Sequence, residues 1–253
     1  MSDPRDLFDL TGRVACVTGA SAGLGQRAAL ALAAAGARVV GVARRTGALA
    51  DWAAFVGDGA ATVAADLSKR DTIGDIATQI AAPFGAPDIL VHAAGINTRE
   101  IADDVTPEGW DMTLNLNLAA PFFLSQAFAP AMKAKGWGRI VNFASLQTTR
   151  AFPGGVAYGA SKAGVAQLTR AMAEAWSKDG ITANAIGPGF FPTELTGPVF
   201  KDPIRAARNA EQTCIGRNGT LEDIDGPLLF LCSNASAYVT GQVLMVDGGF
   251  TAK

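Results

Sequence analysis

The sequence predicts an α/β protein in which helices flank a doubly wound, seven-stranded parallel sheet. Short β-branched runs alternate along the chain with longer helix-like stretches, an order typical of parallel strands joined by right-handed crossovers. Most of these runs are apolar at consecutive positions, as expected for strands that helices cover on both faces. The length of 253 residues, 49% of them hydrophobic, suits one large domain of this class.

The individual elements follow from this alternation. The short apolar runs that predict strands are, in order, RVACVTG (13–19), ARVVGVA (37–43), GAATVAAD (59–66), DILVHAAG (88–95), GRIVNFAS (138–145), GITANAIG (180–187) and GQVLMVDGG (241–249). The longer stretches that predict helices are 24–35, 47–55, 70–82, 107–134, 156–178 and 220–232.

One region interrupts the alternation of strands and helices. Residues 190–219 hold three prolines and several charges before the next predicted helix. Because a long insertion at the carboxyl side of a late strand is typical of a segment that covers substrate, we expect a substrate lid; a disordered loop is the alternative. No linker or repeat divides the chain, so we expect a single domain over residues 1–253.

The composition argues against several classes of protein. A net charge of −2 with scattered basic residues gives no nucleic-acid footprint. No run approaches the ~18 apolar residues of a membrane span, and the polar N-terminus argues against a signal peptide. Cys16, Cys214 and Cys232 are far apart, and the chain has no C-x-x-C and one histidine. We therefore expect reduced thiols in a cytoplasmic protein, and no metal site.

Gly19, Gly23 and Gly25 follow the first predicted strand and open the first predicted helix. A tight turn there would direct backbone N–H groups and the helix N-terminus at a pyrophosphate, which a side chain would keep away. The spacing G-x-x-x-G-x-G differs from the usual dinucleotide fingerprint. Its strand–turn–helix setting nevertheless predicts a Rossmann fold that binds a dinucleotide, with a glycine-rich turn lacking a ligand as the alternative.

The end of the second predicted strand should contact the adenosine ribose. An acid there would accept hydrogen bonds from a 2′-hydroxyl, but the chain has Ala43 followed by Arg44 and Arg45, with no acid before Asp51. Because arginine matches phosphate geometry and keeps its charge, we expect NADP(H) to be preferred, with NAD(H) as a possible cofactor. The alternative is that one or both arginines are solvated loop charges.

Tyr158 and Lys162, in the segment AYGASKAG, are four positions apart and so share one face of a predicted helix. A free phenol titrates near pH ~10, and an adjacent cation favours the phenolate and lowers its pKa. The pair would then donate and accept protons near neutral pH. An ordinary helix-surface pair is the alternative for these two residues alone.

Ser145 closes the fifth predicted strand, and Tyr158 follows thirteen residues later. Together with TGASAGLG (18–25), these residues resemble the classical short-chain dehydrogenase/reductase family, and the resemblance runs from FDLTGRVACVTGAS to YVTGQVLMVDGG. It implies reversible hydride transfer between a nicotinamide and a carbonyl carbon.

The resemblance implies a role for each catalytic candidate. Tyr158 exchanges a proton with the substrate oxygen, Lys162 lowers the tyrosine pKa and holds the nicotinamide ribose, and Ser145 donates a hydrogen bond to the same oxygen. Asn117 would hold a water that links Lys162 to solvent. Asn115 is the competing candidate, but Asn117 keeps the N-L-x-x-x-F pattern.

Pro121 lies four residues after Asn117 in a predicted helix. Proline has no N–H, so we expect the Asn117 carbonyl to lack its helical donor and to accept from that water instead. An ordinary proline kink is the alternative.

The chain departs from the family at His92-Ala93-Ala94-Gly95, where N-N-A-G is usual. Ala93 therefore loses an amide hydrogen bond that helps to stabilise the sheet. We interpret His92 as a buried polar residue and not as a catalyst.

The resemblance also assigns the dinucleotide contacts. Asp66 and Leu67 would contact adenine, and the segment NAIGPGFFPT would lie near the nicotinamide carboxamide and the phosphates. The predicted cofactor-binding residues are Gly19, Ser21, Gly23, Leu24, Gly25, Arg44, Arg45, Asp66, Leu67, Ala94, Gly95, Tyr158, Lys162, Pro188, Gly189, Phe191 and Thr193.

Arg99 lies just after the fourth predicted strand, at the mouth of the expected cleft. IVNFASLQTTRAFPGG and ANAIGPGFFPTELT resemble gluconate 5-dehydrogenase and related sugar-acid oxidoreductases of the family, in which an arginine at this place helps to bind the acid. A guanidinium can donate two parallel bonds to a carboxylate; a surface arginine is the alternative. The predicted substrate contacts are Arg99, Ser145, Gln147, Tyr158 and Phe190.

Taken with the resemblance, the residues predict an NADP(H)-dependent enzyme that interconverts a secondary alcohol and a ketone on a small sugar-acid or polyol-like substrate. The alternatives are a 3-oxoacyl-acyl-carrier-protein reductase or other ketone reductase, and a non-catalytic dinucleotide sensor. AAPFFLSQAFAPAM and AGVAQLTRAMAEAW have more apolar residues than one sheet-facing stripe needs. We therefore expect their outer faces to pair in the homotetramer that is usual in the family; helices buried within the monomer are the alternative.

Overall fold

The computed structural model describes residues 4–253. Seven parallel strands form one sheet in the order β3-β2-β1-β4-β5-β6-β7. The strands are β1 (Val14–Thr18), β2 (Arg38–Ala43), β3 (Ala60–Ala64), β4 (Ile89–His92), β5 (Gly138–Phe143), β6 (Ile181–Pro188) and β7 (Val243–Val246). The predicted fold class, a single-domain Rossmann fold, is confirmed.

Helices form the crossovers between the strands. They are α1 (Gly23–Ala34), α2 (Thr46–Val56), α3 (Ile73–Ala81), α4 (Pro107–Leu114), α5 (Ala120–Lys135), α6 (Val156–Trp176), α7 (Gly197–Phe200), α8 (Pro203–Glu211) and α9 (Asp225–Cys232). Within residues 4–253, every helix falls short of the length and apolarity needed to cross a bilayer.

The core lies on both faces of the sheet, as the unbroken apolar strands predict. Every residue of β1 and β5 is buried, so neither face of these strands meets water. One face packs against α1 and α9 through Leu32 and Leu228. The other face packs against α3, α5 and α6 through Ile80, Leu124 and Met172.

The predicted helix over 107–134 is interrupted in the structure. α4 ends at Leu114, a π-helical turn covers Asn115–Ala119, and α5 begins at Ala120. The wider spacing of the π turn is seen where the Ala120 N–H donates to the Asn115 carbonyl, five residues earlier. Pro121 explains the break, because a residue without an N–H cannot continue the i to i−4 ladder.

The strand order places β1 beside β4, and the chain leaves these two strands in opposite directions along the sheet. Open α/β sheets bind their ligands in the crevice at such a switch point, beyond the carboxyl ends of the strands. The loops meet there: the Gly19 N–H donates to the Val42 carbonyl at 2.8 Å. The Ala94 N–H donates to Thr18 Oγ1 at 3.1 Å.

Residues 190–219 follow β6 at the same edge and contain α7 and α8. Asp202 caps α8 by accepting hydrogen bonds from Ile204 N at 3.0 Å and Arg205 N at 3.2 Å. No residue of α8 is buried, so this helix lies on the outside of the segment.

Candidate active site

A cleft of about 550 Å³ runs along the carboxyl edge of the sheet at the switch point. It collects residues from loops that are far apart in the chain. The predicted cofactor-binding residues that line it are Gly19, Ser21, Gly23, Leu24, Gly25, Arg44, Arg45, Asp66, Leu67, Ala94, Gly95, Tyr158, Lys162, Pro188 and Thr193.

The glycine turn has no room for side chains. A Cβ on Gly25 would lie 2.7 Å from the Gly19 carbonyl carbon, and one on Gly19 would lie 2.8 Å from the Ala94 nitrogen. Gly19 and Gly23 also have φ values of +74° and +54°, in the left-handed region that favours glycine. The turn therefore brings bare backbone and the start of α1 to the cleft wall, which fits a dinucleotide pyrophosphate.

The two arginines after β2 have different surroundings. Arg45 donates to Ser21 Oγ from Nε at 3.3 Å and from Nη2 at 3.1 Å, and its Nη1 lies 2.7 Å from Glu194 Oε1. Arg44 faces Asp66, whose pKa is lowered chiefly by its side-chain bond to Ser68 and in smaller part by the Arg44 charge. Both arginines line the cleft and are exposed to solvent.

Three of the four expected catalytic residues meet at the inner end of the cleft. Ser145 follows β5, and α6 presents Tyr158 and Lys162 on its buried face. The Gln147 N–H donates to Ser145 Oγ at 3.1 Å, which leaves the serine O–H to act as a donor. Tyr158 is 9% exposed and Lys162 is 5% exposed, so water reaches neither residue easily.

The pKa of Tyr158 is raised in the structure, whereas the sequence predicts that it is lowered. Burial raises the pKa of the phenol, while a hydrogen bond with Ser145 and the positive charge of Arg99 oppose that rise. Lys162, expected to lower this pKa, has its Nζ 5.6 Å from the ring centroid and donates to the Phe143 carbonyl at 2.6 Å. The ammonium group is thus directed to β5, and burial lowers its own pKa to about 8.

Asn117 joins the loop after β4 to the catalytic helix. Its Oδ1 accepts from Ile96 N at 2.9 Å, and its Nδ2 donates to the Ile96 carbonyl at 2.9 Å and to Ser161 Oγ at 3.0 Å. Both ends of the side-chain amide are thus hydrogen-bonded to other residues of the protein. A water relay through Asn117 would have to use the main-chain carbonyl, and the proline at position 121 deprives that carbonyl of the i+4 donor.

His92 is buried in the fourth strand, as its position predicts. Its Nε2 lies 2.9 Å from Ser125 Oγ, and burial lowers the pKa of the imidazole to about 3. The ring is therefore neutral near pH 7, and it contacts α5 instead of the cleft.

Three of the predicted site residues line a second cavity. Gly189, Phe190 and Phe191 line a second cavity of about 300 Å³ between the end of β7 and residues 213–219. Phe191 is 3% exposed, and its ring occupies the space beside Gly219. Phe190 packs edge-on against Phe152 and Phe250, and neither Phe190 nor Phe191 lines the main cleft.

Arg99 and Gln147, predicted to contact substrate, are not among the residues that line the main cleft. Arg99 has a φ of +59°, the one positive value among the non-glycine residues of 4–253, and such strain is often found at functional sites. Its Nη2 donates to the Leu195 carbonyl at 2.5 Å. The Gln147 Oε1 is buried without a hydrogen-bond partner among the described residues, next to Gly155.

Sequence reasoning missed several parts of the cleft wall. Glu194 and Leu195 follow the predicted Thr193 directly, and their contacts with Arg45 and Arg99 give no local sequence signal. The other unpredicted lining residues are Asn97 and a set of apolar residues: Ala22, Val42, Ala43, Ala65, Ala93, Ile96, Leu116, Phe143 and Ala144.

Comparison with known proteins agrees with this geometry. A family model described as enoyl-(acyl carrier protein) reductase matches residues 19–251. The 2-dehydro-3-deoxy-D-gluconate 5-dehydrogenase of Escherichia coli (strain K12) is 41% identical over 252 residues, covering 97% of this chain and 98% of that protein. Gluconate 5-dehydrogenase of Gluconobacter oxydans (strain 621H) is 40% identical over 254 residues, with 99% of each chain covered.

A solved structure shares both fold and length. The crystal structure of a gluconate 5-dehydrogenase from Burkholderia cenocepacia J2315, in complex with NADP and tartrate, superimposes with a TM-score of 0.94. It is 36% identical and covers 99% of this chain and 100% of its own. The chain belongs to the short-chain dehydrogenase/reductase family. It is an NAD(P)-dependent oxidoreductase of that family, and the resemblance read from its motifs is confirmed.

Proposed function

We propose that this chain is an NADP(H)-dependent oxidoreductase that interconverts a secondary alcohol and a ketone on a sugar acid or a related polyol. One observation carries the proposal: Tyr158 is buried beside Ser145 and Lys162 at the inner end of a cleft that fits a dinucleotide. The similarity to sugar-acid 5-dehydrogenases over nearly the whole chain supports the substrate class.

The dinucleotide, when bound, donates or accepts the hydride. The protein handles the proton: the Tyr158 hydroxyl gives it to the carbonyl oxygen in reduction and takes it from the alcohol in oxidation. The Ser145 O–H donates a hydrogen bond to the same oxygen and stabilises the charge that develops there. The hydrogen bond with Ser145 and the charge of Arg99 oppose the rise in the phenol pKa that burial causes. The Lys162 ammonium group, 5.6 Å from the ring centroid, adds a second positive charge that would favour phenolate.

Three arginines support the choice of cofactor and substrate. Arg44 and Arg45 lie at the end of β2, where a 2′-phosphate would be read and where no carboxylate precedes Asp51. The NADP bound to the Burkholderia relative agrees with this preference. Arg99 lies within electrostatic reach of Tyr158, which suits a substrate that carries a carboxylate near its reacting carbon.

The proposal is tested by turnover of the purified protein. We expect reduction of NADP+ with aldonates such as gluconate, and oxidation of NADPH with the corresponding keto acids. Tyr158→Phe should lower kcat by about 10²- to 10⁴-fold while the cofactor dissociation constant stays nearly unchanged, because the phenol moves the proton and does not hold the pyrophosphate. Full turnover in Tyr158→Phe would refute the mechanism.

A second candidate is reduction of 3-oxoacyl groups on an acyl carrier protein, favoured by the description of the matching family model. The same assay distinguishes it: a 3-oxoacyl thioester would be turned over faster than any aldonate or keto acid. Binding of NADPH without turnover of either substrate class would instead indicate a dinucleotide sensor.

We further propose that residues 190–219 form a lid and that the chain forms a homotetramer in the cytoplasm. The lid is supported by the contacts of Glu194 and Leu195 with arginines across the cleft. Exposed Met112 and Phe123 support self-association through α4 and α5. Light scattering on a size-exclusion column tests the assembly, since a monomeric mass at micromolar concentration would contradict it.

A further inference from the structure

Glu194 faces Arg45 across the mouth of the cleft. Its Oε1 lies 2.7 Å from Nη1 of the guanidinium, and the two side chains are 68% and 51% exposed. Arg45 also donates to Ser21 Oγ from its other two nitrogens. The guanidinium that would read a 2′-phosphate therefore already holds an anion that the protein itself supplies.

The position of Glu194 is set by a compact turn. Thr193 N donates to Thr196 Oγ1 at 3.0 Å, and Thr196 Oγ1 donates to the Phe191 carbonyl. A Cβ on Gly23 would lie 3.1 Å from Thr193 Cγ2, so this turn rests directly on the glycine turn. The carboxylate thus starts from a fixed backbone at the edge of the dinucleotide site.

The neighbouring arginine lacks such a partner. Arg44 forms no salt bridge with any carboxylate in the described part of the chain, although it lies near enough to Asp66 to help lower the pKa of that carboxyl. The two arginines therefore differ, because a phosphate can approach Arg44 directly but must displace a carboxylate at Arg45.

We propose that Glu194 determines how strongly the protein prefers NADP(H) over NAD(H), by competing with the 2′-phosphate for Arg45. The inference rests on the cofactor assigned under the proposed function. A phosphate monoester carries a charge of about −1.5 to −2 near pH 7, so it meets repulsion from the carboxylate as well as competition. NAD(H) brings no anion to this place and leaves the pair of Glu194 and Arg45 closed over the cleft.

The test compares equilibrium binding of NADPH and NADH to the ligand-free protein by titration calorimetry. Glu194→Gln keeps the shape of the side chain and removes its charge. We expect it to tighten NADPH binding by roughly two- to fivefold, the range of an exposed ion pair, and to leave NADH binding unchanged or slightly weaker. The gain should shrink in ~0.5 M salt, which screens exposed charges.

Two controls accompany this variant. Glu211→Gln removes the same charge at the exposed end of α8 and should change neither dissociation constant. In the Arg45→Gln background, Glu194→Gln should lose most of its effect on NADPH, because the competition has no guanidinium left to act on. Folding of each variant is checked by its thermal midpoint.

The inference is overturned if Glu194→Gln shifts both cofactors equally, weakens NADPH, or acts fully in the Arg45→Gln background. Failure of the proposed function has a different signature. In that case the wild-type protein would bind NADH more tightly than NADPH, and neither Arg44→Ala nor Arg45→Ala would weaken NADPH binding. Neither reading depends on catalytic turnover, so the two failures are distinguishable.

Discussion

The Lys162 ammonium group donates a hydrogen bond to the main-chain carbonyl of Phe143, at 2.6 Å. The last residue of β5 and the second turn of α6 are thereby joined at the buried end of the cleft. The lysine is thus a structural link between strand and helix, in addition to the positive charge near the phenol that the proposed mechanism uses.

This link predicts that Lys162→Met lowers both activity and stability. The Phe143 carbonyl loses its donor, which we expect to cost about 1–3 kcal/mol in the free energy of unfolding. Without the cation, phenolate formation at Tyr158 becomes harder, and kcat should fall by at least about 100-fold. Denaturant unfolding and steady-state kinetics measure the two effects. Near wild-type kcat in a folded Lys162→Met protein would contradict the role of the charge.

Asn117 and Asn115 form a matched pair of substitutions. Asn117→Ala leaves the Ile96 N–H and carbonyl and the Ser161 hydroxyl without their partner, so we expect a loss of about 2–4 kcal/mol in unfolding free energy. Asn115→Ala, two residues earlier in the same π turn, should cost less than about 1 kcal/mol. Equal losses in urea unfolding would argue against the assignment of Asn117.

His92 predicts a pH dependence of stability. Its folded pKa of about 3 lies below the ordinary 6.5, so between these values the unfolded state binds more protons and stability falls as pH drops. From pH 7 to pH 5 the wild-type protein should lose about 2 kcal/mol more than His92→Asn, which removes the titrating group. Parallel stability curves for the two proteins, from urea unfolding at several pH values, would refute this.

The glycine turn predicts a contrast between two alanine substitutions. Gly25→Ala places a methyl group against Gly19, so it should destabilise the protein and weaken NADPH binding by about tenfold or more, as the turn moves out of its pyrophosphate-binding shape. Gly74→Ala, inside α3 with open space around it, should stabilise by about 0.4–1 kcal/mol. Unchanged NADPH affinity in Gly25→Ala would contradict the assigned phosphate site.

Arg99 predicts a selective loss for acidic substrates. Arg99→Ala should raise KM for aldonates by roughly 10- to 100-fold, the value of a charged hydrogen-bond pair, with a much smaller effect on neutral polyols. Arg99→Gln keeps a donor for the Leu195 carbonyl and separates loss of charge from loss of that contact. Equal effects on acidic and neutral substrates would exclude carboxylate recognition by this residue.

Much of the fold could be predicted because short stretches of sequence determine the strands and the glycine turn. Buried parallel strands require consecutive apolar residues, and the turn at Gly19–Gly25 requires missing side chains, so both are visible in the sequence. The break at Asn115–Ala119 was not predicted, although Pro121 was seen, because a proline can kink, end or widen a helix. Packing against neighbouring helices decides among these outcomes, and local sequence does not report that packing.

The site was predicted less completely, for reasons that depend on distance along the chain. The motifs assigned Phe190 to the substrate and Phe191 to the cofactor. In the structure the Phe191 ring packs against Gly219, where there is room because glycine has no side chain. Both phenylalanines line the second cavity and not the main cleft. Glu194 was missed because its partner Arg45 is 149 positions away. The pKa of Tyr158 was expected to fall, since its burial could not be read from Y-x-x-x-K.

Because β1 lies beside β4 at the centre of the sheet, the two parts of the cleft come from different stretches of the chain. Most of the proposed dinucleotide contacts, including the glycine turn and the arginines after β2, come from the N-terminal hundred residues, whereas Ser145, Tyr158 and Lys162 come from the remainder. Substitutions in the later stretch can therefore change which alcohol is oxidised while most of the nucleotide contacts are retained. Residues 193–195 come from the later stretch but contact Arg45 and Arg99 of the earlier one. A substitution there would therefore affect both the cofactor and the substrate parts of the cleft.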